Sequence, residues 1–286
     1  DLPELLQVPT LNEIKITIAT RKDFFSGKNA RRQLAHDIVE DHRARNAPPA
    51  TLAAAEKLED ETTYLVIAGQ QPGLLLGPLY TLSKCLQTIQ LAQRLTGEGY
   101  GTVLPAFWNA SEDHDHSEID HAIWLDDERS PVRFQIDLYG ISTDTSVSAI
   151  PKERGCFNGL TSTLRQTLSG QPYVESVIDW IATSYNQAGH SLADWFDHLL
   201  WNLLPESGLL IFRPESMFLR REAIPLLEKE IASPTRSSAE VNQAGEELNT
   251  LGFPLQVHKS ESRTSFFIIE QGRRFPVHWT RERFVL

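Results

Sequence analysis

One stretch of the sequence decides the fold, and it comprises residues 64–121: YLVIAGQQPGLLLGPLYTLSKCLQTIQLAQRLTGEGYGTVLPAFWNASEDHDHSEIDH. It opens with the apolar run 64–68, whose lack of alternation predicts a strand covered on both faces. A loop with three glycines, residues 69–77, leads to Pro78, which predicts the first position of an amphipathic helix. A second apolar run, residues 102–108, predicts the next strand. These elements form a βαβ unit, whose polar loops should lie at the carboxyl ends of two parallel strands, where open α/β sheets bind ligands.

The composition limits the class of protein. At 286 residues the chain is long enough for a sizeable core. Its net charge is −11 without any run of Lys or Arg, so nucleic acid is not an expected partner. No apolar run approaches the ~20 residues that span a bilayer, and the beginning lacks signal-peptide features, so no membrane is expected. The two cysteines, Cys85 and Cys156, show no CxxC spacing, which is typical of a cytoplasmic protein.

The remaining chain predicts helices around the sheet and a hairpin near its end. Predicted helices span residues 29–45, 50–59, 161–168, 174–187, 191–204, 215–231 and 238–250. Predicted strands beyond the βαβ unit span residues 122–125, 131–138, 209–212, 254–259, 264–270 and 275–279. Ser191 and Asp194 have the spacing of a capping box, and the last two strands should form a hairpin. The fold class is therefore α/β, with flanking helices and a C-terminal β-hairpin region.

The glycine-rich loop and the helix after it are the first candidate site. The candidate binding residues are Gly69, Gln70, Gln71, Gly73, Gly77, Tyr80 and Lys84. Glycines let the backbone approach a ligand, and a helix amino terminus favours an anion such as a phosphate or carboxylate. The spacing matches neither the dinucleotide fingerprint nor the Walker A motif. A tight turn without a ligand is the alternative, but two adjacent glutamines serve no packing need, which favours binding.

The second candidate site is an acidic cluster after the second predicted strand. It contains Asn109, Glu112, Asp113, His114, Asp115, His116, Glu118, Asp120 and His121. A carboxylate beside a histidine fixes the tautomer and raises the pKa of the imidazole, which suits general acid–base work on an amine or hydroxyl. The predicted catalytic residues are Glu112, Asp113, His114 and Asp115.

Two other functions remain open. The group His114, His116, Asp120 and His121 is similar to the HxHxDH metal motif of a hydrolase family, which makes a metal-dependent hydrolase the first alternative. The spacing differs, because Glu118 and Ile119 stand where that motif has Asp and His, so no metal is expected. The second alternative is a non-catalytic nucleotide- or anion-binding protein.

A longer combination of motifs resembles a known family. Its parts are residues 69–74 (GQQPGL), 77–81 (GPLYT), Lys84, Pro105, 107–108 (FW) and 111–115 (SEDHD). Together they resemble the cysteine-adding enzymes of bacillithiol biosynthesis, and weaker similarity extends over nearly the whole chain. The chain departs from the family pattern at His116, where an aromatic residue is usual, and at Asn109, where an aliphatic residue is usual.

The resemblance implies a Rossmann-like core, related to class I nucleotidyltransferases and synthetases, and a coiled-coil insertion for homodimerisation. It implies a ligase that joins L-cysteine to the amine of glucosaminyl-malate, with ATP as the chemically natural activating co-substrate. Residues 1–60 are then an N-terminal packing segment and residues 61–286 the Rossmann-like core. Family members are longer, so the coiled coil and the rest of the core are expected beyond Leu286. Trp108 and Asn109, beside the acidic cluster, complete the predicted binding residues.

Overall fold

The structure, a computed structural model, describes residues 28–255 and 257–286. The part of the predicted packing segment before residue 28 lies outside the described residues. The helices are α1 (Lys28–Ala44), α2 (Pro49–Glu56), α3 (Tyr80–Gly97), α4 (His116–Ile119), α5 (Phe157–Thr167), α6 (Val174–Gln187), α7 (Leu192–Leu203), α8 (Met217–Ala232) and α9 (Arg236–Thr250). Short 3-10 helices span Lys57–Glu59, Leu74–Leu76, Val147–Ala149 and Lys152–Gly155. The strands are β1 (Thr63–Gln70), β2 (Thr102–Asn109), β3 (His121–Leu125), β4 (Pro131–Gln135), β5 (Leu210–Phe212), β6 (Arg263–Glu270), β7 (Arg273–Trp279) and β8 (Phe284–Val285).

Three parallel strands form the sheet that carries the candidate site, in the order β1-β2-β5. Gln70 of β1 lies opposite Asn109 of β2, and Trp108 of β2 lies opposite Phe212 of β5. The predicted βαβ unit is therefore confirmed. Because parallel strands end at the same edge of a sheet, the loops after β1, β2 and β5 meet there.

Helices cover both faces of this sheet at β2 and β5. Leu104 and Ala106 of β2 pack with α1 and α2, whereas Phe107 belongs to the larger core that contains α6 and α7. The same division separates Leu210 from Ile211 in β5. Both strands are buried on two faces, which explains their nearly uninterrupted apolar sequences.

Two details of the βαβ unit differ from the prediction. The prediction that the first strand is covered on both faces is wrong, because Ile67 is 55% exposed and β1 lies at an edge of the described sheet. The helix begins at Tyr80 and not at Pro78. The delay arises because Leu75 and Leu76 have φ angles of 49° and 72°, so the chain makes an extra turn before the helix.

All the predicted helices are present. The largest shift affects α5, which begins at Phe157 and so precedes the predicted start at residue 161. The capping box of α7 is confirmed, since Asp194 N donates to Ser191 Oγ (3.1 Å) and Ser191 N donates to Asp194 Oδ2 (2.9 Å). Among the described helices, none combines the length and apolar character that a membrane crossing requires.

The C-terminal strands form a separate antiparallel sheet in the order β6-β7-β8. The predicted hairpin is confirmed, with Gln271 and Gly272 between β6 and β7. The predicted strand at 254–259 is wrong for its described residues, where Leu255 and Val257 are 48% and 54% exposed. An apolar run becomes a strand only when a partner satisfies its backbone N–H and C=O groups, and no described strand pairs with this run.

Candidate functional site

The glycine-rich loop is held in a compact turn at the end of β1. A Cβ atom at Gly69 would lie 3.0 Å from Trp108 Cβ, and one at Gly73 would lie 2.7 Å from Gly77 Cα. Gly77 also has a φ of +66°, which disfavours other residues. Close packing alone therefore accounts for these three glycines, and the features that could bind a ligand are the side chains around them.

A lysine, a glutamine and a tyrosine meet at the end of β1. Lys84 Nζ donates to Gln70 Oε1 (2.8 Å) and to Gly69 O (3.2 Å). Gln70 Nε2 donates to Tyr80 Oη (3.1 Å), and Lys84 Nζ lies 5.0 Å from the centroid of the Tyr80 ring. Tyr80 is 49% exposed. The structure thus joins the predicted residues Gln70, Tyr80 and Lys84 into one polar group beside solvent, whereas Gln71 makes no side-chain hydrogen bond to a described residue.

The end of β2 divides into a surface residue and a buried one. Trp108 is 37% exposed, but Asn109 has no exposed surface. Asn109 Nδ2 donates to Asp197 Oδ1 on α7 (2.7 Å), and its Oδ1 is buried without a partner among the described residues. Asn109 therefore connects the strand end to the interior, and its predicted binding role stays a prediction.

The predicted catalytic residues occupy the turn after β2. Asp113 Oδ1 accepts the backbone N–H of His114 (2.7 Å) and lies 3.8 Å from His114 Nδ1. That Nδ1 atom is buried and has no hydrogen-bond partner among the described residues. Asp115 caps α4, because its Oδ1 accepts from Ser117 N (3.2 Å) and Ser117 Oγ (2.6 Å). Asp113 and His114 are thus more available for chemistry than Asp115.

Residues from distant parts of the chain complete this region, and the sequence analysis did not place them in the site. Glu215 follows β5 and accepts a hydrogen bond from Ser111 Oγ (2.6 Å) at Oε2. Arg220 of α8 pairs with Glu112, and Arg274 of β7 lies 3.8 Å from Asp113. The rule that ligands bind at the carboxyl ends of parallel strands would have indicated Glu215, because residues 209–212 are a predicted strand. The two arginines carry no such local signal.

A buried charge cluster lies next to the strand ends and joins α1, α7 and the residue that follows β5. Arg213 donates to Asp197 Oδ2 through Nε (2.7 Å) and to Asp194 Oδ1 through Nη1 (2.6 Å), and Arg45 Nη1 donates to Asp197 Oδ2 (2.8 Å). Burial lowers the pKa of Arg213, but Asp197 and Asp194 outweigh it and raise that pKa above its ordinary value. Burial raises the pKa of Glu215, against the opposing effects of Ser111 and Arg213. The cluster therefore keeps Arg213 charged and leaves Glu215 easier to protonate than an exposed glutamate.

The four residues of the alternative metal motif, His114, His116, Asp120 and His121, do not converge. His116 Nε2 contacts Thr145 O (2.8 Å), and His121 Nδ1 contacts Asp120 Oδ1 (2.9 Å). Within residues 28–255 and 257–286, no group of three or more His, Cys, Asp or Glu side chains is arranged to hold a metal ion. The described part of the chain therefore lacks the geometry that the metal-dependent hydrolase alternative requires.

Residues 7–286 match the family model of the N-terminal Rossmann-like domain of bacillithiol biosynthesis BshC. The chain belongs to the BshC family. A relative from Koribacter versatilis (strain Ellin345) is 32% identical over 238 residues, which cover 83% of this chain and 43% of the relative. A relative from Bacillus mycoides (strain KBAB4) is 30% identical over 246 residues, which cover 85% of this chain and 45% of the relative. Both carry the name "Putative cysteine ligase BshC".

The family match confirms the predicted membership and the Rossmann-like fold class. The chain spans less than half the length of these BshC relatives, so the activity of a whole BshC protein is not read directly from it. The three strand-end loops all lie inside the matched BshC domain. The roles of their residues, the division at residue 60, the coiled coil and the homodimer stay predictions.

Proposed function

We propose that this chain is the Rossmann-like part of a ligase that joins the carboxyl group of L-cysteine to the amine of glucosaminyl-malate, giving bacillithiol. The observation that carries the proposal is the match of residues 7–286 to the BshC domain, whose relatives carry the name "Putative cysteine ligase BshC". The arrangement at the carboxyl edge of the sheet supports it, because a cationic group and an acid–base pair stand there on neighbouring strand ends.

The end of β1 is the proposed anion-binding half of the site. Lys84 offers a positive charge, and Gln70 and Tyr80 hold that amine beside the loop. An ammonium group donates three hydrogen bonds, of which two go to Gln70 and Gly69, so one donor is left for a ligand. A carboxylate or an activated carboxylate is the ligand that fits this charge.

The end of β2 is the proposed acid–base half. The sugar amine must lose a proton before its lone pair can form the amide, and a histidine beside a carboxylate suits that transfer. Among the described residues His114 Nδ1 has no hydrogen-bond partner, and Asp113 Oδ1 lies 3.8 Å from it, so a carboxylate stands beside the proposed base. The cysteine carboxylate also needs activation, and ATP is the co-substrate that we propose for it.

The test is an assay on the full-length protein with L-cysteine and glucosaminyl-malate, with and without ATP, in which bacillithiol is detected by mass. We expect product from the wild type and a loss of at least about 100-fold in His114→Ala, which is the usual range for a general base. His36→Ala is the matched control, since His36 Nδ1 also lies 3.8 Å from a neighbouring aspartate and the His36 side chain is exposed on α1. A folded full-length protein that makes no product would refute the proposal, and its metal content would be measured next.

A further inference from the structure

The backbone around Arg274 is fixed by contacts with the loop before α5. Arg274 N donates to Asp144 O (2.9 Å), and Ser146 N donates to Gly272 O (2.9 Å). A Cβ atom at Gly272 would lie 2.4 Å from Ala149 Cβ, and the φ of Gly272 is +75°, so this hairpin tip fits its position only as glycine. The start of β7 is therefore held firmly beside the acidic turn.

The guanidinium of Arg274 is positioned by an aromatic ring and a carboxylate, and not by hydrogen bonds to described residues. Its Cζ lies 3.8 Å from the centroid of the Phe267 ring, and its Nη1 lies 3.8 Å from Asp113 Oδ1. The side chain is 24% exposed, and it makes no hydrogen bond to any residue of 28–255 or 257–286. A guanidinium has five N–H donors in a planar fork that matches a carboxylate. A half-buried arginine whose donors bond none of the described residues is suited to receive an anionic ligand.

We propose that Arg274 binds a carboxylate of the malate part of the amine-bearing substrate, and this inference rests on the proposed function. Arg274 is assigned to the amine-bearing substrate because it adjoins Asp113, beside which the sugar amine would be deprotonated. Lys84 stands instead at the end of β1. The amine and the malate are carried on neighbouring carbons of one sugar, and Arg274 Nη1 lies only 3.8 Å from Asp113 Oδ1, so one substrate molecule can contact both Arg274 and the acid–base pair. The site is thereby specific for amines that carry carboxylates.

A purely structural role is the competing explanation, in which Arg274 only fastens the hairpin through Phe267 and Asp113. Arg263 offers the matched control, because its Cζ also lies over the Phe267 ring, at 5.4 Å, and it has no contact with the acidic turn. A structural role predicts altered stability without selectivity among substrates. Carboxylate binding predicts an effect that depends on the malate.

The experiment uses the full-length protein at saturating L-cysteine and compares glucosaminyl-malate with methyl glucosaminide, which has the amine but no malate. We expect Arg274→Ala to raise KM for glucosaminyl-malate about 10-fold or more, the usual effect of losing a hydrogen bond to a charged group, and to leave methyl glucosaminide unaffected. Arg274→Lys should recover part of the loss, and Arg263→Ala should change neither KM. An unchanged KM for glucosaminyl-malate in folded Arg274→Ala, or an equal loss with both amines, would overturn the inference.

Calorimetry of glucosaminyl-malate binding, without turnover, separates this inference from the proposed function. If the wild type binds the compound but makes no product, and Arg274→Ala weakens binding, the inference stands and the ligase proposal fails. If the wild type makes product and Arg274→Ala binds the compound as tightly, the inference alone fails. Absence of binding to the wild type would overturn both.

Discussion

Gln70 and Asn109 lie directly opposite each other at the carboxyl ends of β1 and β2, but their side chains occupy different surroundings. Gln70 accepts from Lys84 at the edge of solvent, and Asn109 donates to Asp197 in the interior. One register position thus joins the proposed ligand-binding surface to the charge cluster that supports it. Substitutions at the solvent-facing surface and in the buried charge cluster should therefore have different effects.

Replacement of Lys84 by methionine should weaken the anion-binding half of the site. With the malate assigned to Arg274, we expect Lys84→Met to raise KM for L-cysteine about 10-fold or more in the full-length protein, because a charged hydrogen bond is lost. Steady-state kinetics with each substrate varied in turn measure this. Lys229→Met, at an exposed position of α8, is the control. Unchanged KM values for both substrates would show that Lys84 holds no substrate anion.

Substitution of Gly73 should destabilise the loop. The added Cβ of Gly73→Ala would lie 2.7 Å from Gly77 Cα, so the backbone must shift, at a cost of about 1–3 kcal/mol in the free energy of unfolding. Gly97→Ala is the matched control, since a Cβ there meets nothing within 4 Å, and alanine favours a helix by up to about 1 kcal/mol. Urea unfolding of both variants checks the difference. Equal effects would contradict the close packing of the loop.

Removal of Arg213 should be far more costly than removal of a surface arginine. Arg213→Met leaves Asp197 and Asp194 buried with fewer partners, and the expected loss of unfolding free energy is about 3–5 kcal/mol. The control is Arg165→Met. Arg165 is exposed and donates to Glu175 through both Nε (2.9 Å) and Nη2 (3.0 Å). We expect no measurable change there, because solvent screens that pair. Thermal or urea unfolding that ranks the two variants equally would refute the importance of burial.

The free energy of unfolding should depend on pH because the carboxyl group of Glu215 is buried. Burial raises its pKa above the ordinary value of 4.5, so the folded state holds the proton more tightly than the unfolded state. The protein therefore loses stability as the pH rises from about 4.5 through the raised value. Glu215→Gln removes this loss, since the amide oxygen still accepts from Ser111 and no charge develops beside Asp197.

The unfolding free energy of Glu215→Gln, relative to wild type, should therefore be more favourable at pH 7.5 than near pH 5, with urea unfolding as the measurement. Glu206→Gln, at an exposed position, provides the control for the loss of a surface carboxylate. A difference for Glu215→Gln that stays constant or reverses with pH would show that burial does not control this carboxyl group.

Part of this structure follows from short-range patterns. The apolar runs at 102–108 and 209–212 indicated β2 and β5. The spacing of Ser191 and Asp194 indicated the start of α7, because a capping box depends on contacts within one helical turn. The same patterns gave the wrong burial for β1 and a wrong strand at 254–259. Apolar character indicates that a residue prefers burial, but neighbouring strands decide whether burial or pairing occurs.

The sequence by itself determined the βαβ unit, the position of the acidic turn after β2 and the family to which the chain belongs. The tertiary structure alone decided that Asn109 is buried on Asp197 and that Arg220 and Arg274 stand beside Glu112 and Asp113. The physical reason is the distance along the chain over which each kind of interaction acts. Backbone propensity and side-chain spacing act within a few residues, whereas the packing of a C-terminal hairpin against an earlier loop depends on the shape of the whole fold.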